Sequence, residues 1–139
     1  MPSHRSTRTR HGVLAIALLA LVAAVSTGCG VGPATDEEKI SKTATTYLQA
    51  LADGDTTTAC AQLTRRAQGD RCQTALKERL PRLRPDALRN AADGSIDIDV
   101  DDDTATAGLT EPNGARFTLA PVGAEWRIDS GYTLGPGAS

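Results

Sequence analysis

Three observations predict an α+β fold with the helices first and a four-stranded antiparallel meander second. Ile40, Ala44, Tyr47, Leu48 and Leu51 recur at helical spacing. From Ser95 the period drops to two, and Ile96, Ile98 and Val100 alternate with Asp97, Asp99 and Asp101. Short runs separated by Asp102-Asp103, Pro112-Asn113-Gly114 and Pro121 to Ala124 then repeat that alternation, as strands joined by tight turns do. A helical half with one apolar stripe and a sheet with one apolar face bury each other, so a single two-layer core is expected.

The first helix is expected over Asp36 to Ala52. Thr35 and Glu38 have capping-box spacing, and Asp36, Glu37 and Glu38 put three acids where the helix dipole favours them. Gly54 ends it. Asp55 is placed to cap a shorter second helix with Ala59, Cys60 and Leu63 inward, closed by Gly69. A third runs from Asp70 toward Leu80 with Cys72, Ala75, Leu76 and Arg79 or Leu80 on one side, until Pro81 stops it. Pro85 to Ala92 adds a further helical turn, with Leu83 and Leu88 inward. The later strands are Thr104 to Thr110, Arg116 to Ala120 and Glu125 to Asp129. The domain therefore covers residues 36–130, and residues 131–139 form a flexible Gly/Pro-rich tail in which Tyr132 and Leu134 are placed to extend the last strand.

Ahead of this domain lies a different kind of sequence. Met1 to Gly12 carries three Arg and no acid, Val13 to Val25 is an unbroken apolar run, and Ser26-Thr27-Gly28 supplies small residues. That order is the one an export signal follows. Thirteen apolar residues fall short of the roughly 20 needed to cross a bilayer as a helix, so a cleaved signal over residues 1–28 is favoured over a retained anchor. No twin-Arg pair is present, which points to general secretion of the unfolded chain. Cys29, directly after the small residues and flanked by Gly28 and Gly30, resembles the lipobox of bacterial lipoproteins. It departs from that pattern at Ser26, where the family prefers Leu, Val or Ile. The resemblance implies a diacylglycerol (palmitate-type) anchor on Cys29, a tether over residues 29–35, and a location outside the cell on the outer face of the membrane. Two acyl chains at about 0.8 kcal/mol per CH₂ are enough for stable attachment. Secretion without lipid remains the competing reading.

The cysteine count agrees. Three cysteines in an exported chain leave one to explain, and lipidation of Cys29 leaves Cys60 and Cys72 as one pair in an oxidising compartment, where a disulfide is the default. A structural zinc site is disfavoured, because the only histidines, His4 and His11, lie in the signal and no Cys-x-x-Cys is present.

From Cys29 onward the chain carries 12 basic and 17 acidic side chains, a net charge of −5. This excludes a typical nucleic-acid binder, and Arg79, Arg82, Arg84 and Arg89 read as solvated surface with no aromatic neighbours for base stacking. The preponderance of Arg over Lys, with abundant Ala, Thr, Gly and Asp, resembles the composition of high-GC actinobacterial proteins. An EF-hand loop beginning at Asp97 would need Gly at its sixth and Glu at its twelfth position, where Asp102 and Gly108 stand, so the aspartates read as a solvated strand face and no metal ligand is assigned.

The helix order, Tyr47-Leu48-Gln49-Ala50-Leu51, the Gly54-Asp55 turn before Ala59-Cys60-Ala61-Gln62-Leu63, the second Cys, and the closing Glu125-Trp126-Arg127-Ile128 strand together resemble the nuclear-transport-factor-2-like superfamily. Within it the likeness is to small actinobacterial lipoproteins of unknown function. The resemblance implies a sheet curved around the long helix as a cone, with Tyr47 and Trp126 candidates to line it if it is hollow. The superfamily includes binders of small apolar molecules as well as enzymes; with no His after Cys29, and with Asp97, Asp99, Glu125 and Asp129 expected to point outward, the first reading is a non-catalytic domain that binds a small apolar ligand or an envelope protein. The alternative is a small cavity enzyme of isomerase or dehydratase type using a buried carboxylate. No catalytic residue and no cofactor is assigned, since no nucleophile elbow, phosphate-binding loop or His-based triad is present.

Overall fold

The computed structural model describes residues 32–110 and 115–131. The signal, Cys29, the Pro112-Asn113-Gly114 turn and the tail from Tyr132 lie outside the described residues. The described residues belong to one compact unit, whose buried core side chains all lie between Ile40 and Ile128 in the sequence.

Helix α1 (Asp36–Asp53) begins with the capping box its sequence predicts: the Glu38 N–H donates to Thr35 Oγ1 at 3.2 Å and the Thr35 N–H to Glu38 Oε2 at 2.8 Å. It ends at Gly54, whose φ of 74° is open to glycine at no steric cost. Asp55 then caps α2 (Thr56–Ala61) through the Thr58 N–H at 3.0 Å. Here the expectation of one helix running to Gly69 fails. Leu63 leaves the helix to bridge Ile128 in parallel, with the Ile128 N–H donating to the Gln62 carbonyl at 2.9 Å and the Thr64 N–H to the Ile128 carbonyl at 2.8 Å. Two backbone hydrogen bonds to the sheet replace the helical ones given up, and Thr64 caps a new helix, α3 (Arg65–Gln68).

Helix α4 (Cys72–Arg79) packs on α2 and buries only Leu76; Cys72 is half-buried, and of the alternatives Arg79 or Leu80 it is Leu80 that packs against the core, while Ala75, expected inward, is exposed. The α-helix ends at Arg79, just ahead of Pro81, as its sequence predicts. Pro81 sits inside a 3₁₀ turn (Leu80–Arg82), where its missing N–H costs no hydrogen bond. Helix α5 (Pro85–Asp93) packs along α1 through Leu88, Ala91 and Ala92.

Strands β1 (Ile96–Asp101), β2 (Thr104–Leu109), β3 (Arg116–Val122) and β4 (Glu125–Ser130) form one antiparallel sheet in the order β1-β2-β3-β4. Helices followed by this meander establish the α+β class. The alternation predicted for β1 is only partly realised. Ile96 and Ile98 are half-buried, but Val100 is 37% exposed, since β1 is an edge strand whose end extends past the core. Between β3 and β4 the register skips: Leu119 faces Ile128 while Thr118 faces Ser130, so Asp129 is an extra residue, a bulge.

Tyr47, Phe117, Ile40, Leu48, Leu119 and Ile128 fill the space between α1 and the sheet with no solvent exposure at all. Full burial of each aliphatic or aromatic side chain contributes about 1.5–3 kcal/mol, so this cluster is the main source of stability. No helix among the described residues is long and apolar enough to cross a membrane.

Candidate functional site

The two side chains expected to line a hollow cone occupy different settings. Tyr47 is wholly buried, its ring edge-on to Phe117 with centroids 5.6 Å apart. A water-sized sphere touches neither ring, nor Leu119, nor Ile128, so side chains fill the interior around Tyr47. Trp126 is also core, but it reaches the wall of a surface cleft of about 290 Å³ shared with Lys39, Thr46, Gln62 and Arg127. Its indole N–H and the Lys39 ammonium hold the Asp36 carboxyl below the usual carboxylate range, and its carbonyl accepts from Thr43 Oγ1 at 2.9 Å.

Cys60 and Cys72 are joined as a disulfide between α2 and α4, with Cα atoms 6.1 Å apart. Beside it lies a polar knot that sequence reading missed. The Asp129 carboxylate accepts from Thr64 Oγ1 at 2.7 Å and pairs with the Arg66 guanidinium, and these partners hold its pKa down, Arg66 most strongly. Strict alternation points Asp129 outward into solvent, whereas the bulge turns it toward α3. Two residues on, Gly131 (φ 78°) passes so close to β3 that a Cβ there would overlap the Arg116 carbonyl oxygen. Arg127 donates to the Ala61 carbonyl at the end of α2 and pairs with Glu125.

These placements bear directly on chemistry. Among the described residues the buried polar side chains are Thr43, Thr56 and Thr64, and no carboxylate lies in the core. The carboxylates whose pKa departs from its ordinary value, Asp36, Asp55 and Asp129, are all pushed down by hydrogen bonds. A carboxyl acting as acid near neutral pH requires the opposite shift. Among the described residues no group of three or more His, Cys, Asp or Glu is placed to hold a metal ion. Asp97, Asp99 and Asp101 are exposed on β1. No family model, characterised protein or solved structure matches the chain.

Proposed function

We propose that the chain is the precursor of an extracytoplasmic lipoprotein, anchored to the outer face of the membrane by diacylglycerol on Cys29. Its domain is a nuclear-transport-factor-2-like cone that acts through its surface as a non-catalytic interaction module. The observation that carries the anchor is the pairing of Cys60 with Cys72, which leaves Cys29 the one remaining thiol, and it stands immediately after the apolar run and its small residues. Support for the cone comes from the four-strand meander and from α1, which lies against β1, β2 and β4.

The filled interior around Tyr47 favours recognition of an envelope partner at the surface over a small apolar ligand held inside. It also disfavours an isomerase or dehydratase, whose buried acid would have its pKa raised rather than lowered. Intact mass after membrane fractionation tests the anchor. The expected species is membrane-bound, has the mass of residues 29–139 plus acyl chains less two hydrogens for the disulfide, and is lost in Cys29→Ala. A soluble, unacylated product would overturn the anchor, and two free thiols would overturn the argument from pairing.

A further inference from the structure

The net charge of −5 conceals a strong segregation. The segment from Thr64 to Arg89 carries eight basic side chains against Asp70, Glu78 and Asp86, a net of +5, so the rest of the chain from Cys29 onward carries −10. Of the eight, Arg66 pairs with Asp129, and Arg89 with Asp53 and Asp86. The other six, Arg65, Arg71, Lys77, Arg79, Arg82 and Arg84, are exposed and make no ion pair with any described residue. Arg66, Arg71 and Arg79, with the carboxylates Asp70 and Glu78 between them, line a groove of about 470 Å³ between α3 and α4 that also takes in Leu63 and Leu76.

Much of the acid lies toward the start of α1, which is about 27 Å long at 1.5 Å per residue, although Asp53 and Asp55 flank Gly54 at its far end and Asp129 pairs with Arg66. Asp36, Glu37 and Glu38 occupy its first turn, and the Asp36 to Trp126 contact brings Glu125 and the β3–β4 turn to the same end. By strand register the Asp101 to Asp103 turn lies at that end of the sheet too. The basic segment runs from the Cys60–Cys72 disulfide to Leu80, which lies against Gly54 at the far end of α1.

We infer that the exposed face of α3, α4 and the Leu80–Arg82 turn docks on a bilayer carrying anionic phospholipid, with headgroup phosphates as its ligands. Six exposed, unpaired cations distributed over α3, α4 and the turn after it suit an array of headgroups rather than one small anion, and the absence of aromatic side chains between them in sequence removes the means of stacking on a base. The geometry rests on the anchor proposed above. The six residues 30–35 span at most about 20 Å, so the face is held within reach of the membrane. Repulsion of the acidic end and attraction of the basic face then lay the domain along the bilayer.

Because the core is complete within the unit that begins at Gly32, residues 30–139 serve as a soluble probe without Cys29. Cosedimentation compares vesicles of phosphatidylcholine alone with vesicles containing about 30% phosphatidylglycerol, where partitioning should rise at least about tenfold. It should vanish at about 0.5 M NaCl. Arg71→Glu with Arg79→Glu should lower it about tenfold, while Lys42→Glu with Arg116→Glu, the same charge change outside the face, should change it less than about twofold. Circular dichroism verifies folding, and Arg71→Gln with Arg79→Gln replaces the first pair if that pair unfolds. No preference for the anionic vesicles, or equal losses in the two double variants, would overturn the proposal. Binding to soluble polyphosphate but not to vesicles would also overturn it, in favour of a soluble polyanion. Since the probe lacks Cys29, failure here leaves the anchor untouched, and failure of the mass experiment leaves this surface untouched.

Discussion

The two edges of the sheet face the same hazard and meet it by different means. An edge strand offers unpaired N–H and C=O groups to any other strand. On β4 the backbone of Gln62 to Thr64 closes the middle of the edge, with Asp129, Thr64 and Arg66 locking it and the disulfide holding the flanking helices together. On β1 no described residue pairs along the outer edge, and Asp97, Asp99 and Asp101, followed by the Asp102-Asp103 turn, fill the strand with negative charge instead. Closure by backbone contributes to the stability of the fold, whereas protection by charge contributes to solubility and leaves stability nearly unchanged.

The largest expected effect lies on the closed side. Replacing both Cys60 and Cys72 with Ser should cost about 3 kcal/mol in urea unfolding, the loop entropy restored to the unfolded chain. Next comes Thr64→Ala, which removes the α3 cap and one partner of Asp129 and should cost about 1–2 kcal/mol at pH 7. Its pH dependence has a definite sign. Asp129 titrates lower in the folded chain than in the unfolded one, so its contribution is complete above the unfolded value of about 3.9 and is lost as pH falls through the folded value. The gap between parent and Thr64→Ala should therefore narrow in urea melts taken from pH 7 down toward pH 3; a constant gap would mean that the cap alone matters. On the open side, Asp99→Thr with Asp101→Thr should change stability by less than about 0.5 kcal/mol yet increase self-association in sedimentation equilibrium. A large stability change without association would dissolve the contrast between the edges.

What could be read in advance follows the same division. Thr35, Glu38, Gly54 and Asp55 mark helix ends by local chemistry, so those boundaries were legible in the residues themselves. The two-residue period of β2 to β4 was legible as well, and that of β1 as far as Ile98. Leu63 was read as helical because its apolar side chain suits either state, and what draws it out is a pairing with Ile128, 65 positions away. Asp129 was hidden for a related reason: a bulge is a count of two residues against one, and that count exists only once the partner strand is known. The charge separation was fully present as residues, but only the path of α4 beside α2 gathers Arg66, Arg71 and Arg79 around one groove.

Trp126, the chain's one tryptophan, sits by the first turns of α1, its indole near enough to Asp36 to lower that carboxyl's pKa and its carbonyl accepting from Thr43. If the anchor proposed on Cys29 holds, this residue reports strain on the domain. A protein held by its amino terminus takes mechanical load first at the start of α1, where helix and β4 meet. Peeling that joint open would wet the indole and shift its emission to the red, while the disulfide-tied helices at the other end of α1 stayed closed. Fluorescence, with no label added, would thus distinguish a domain pulled by its tether from one melted by heat.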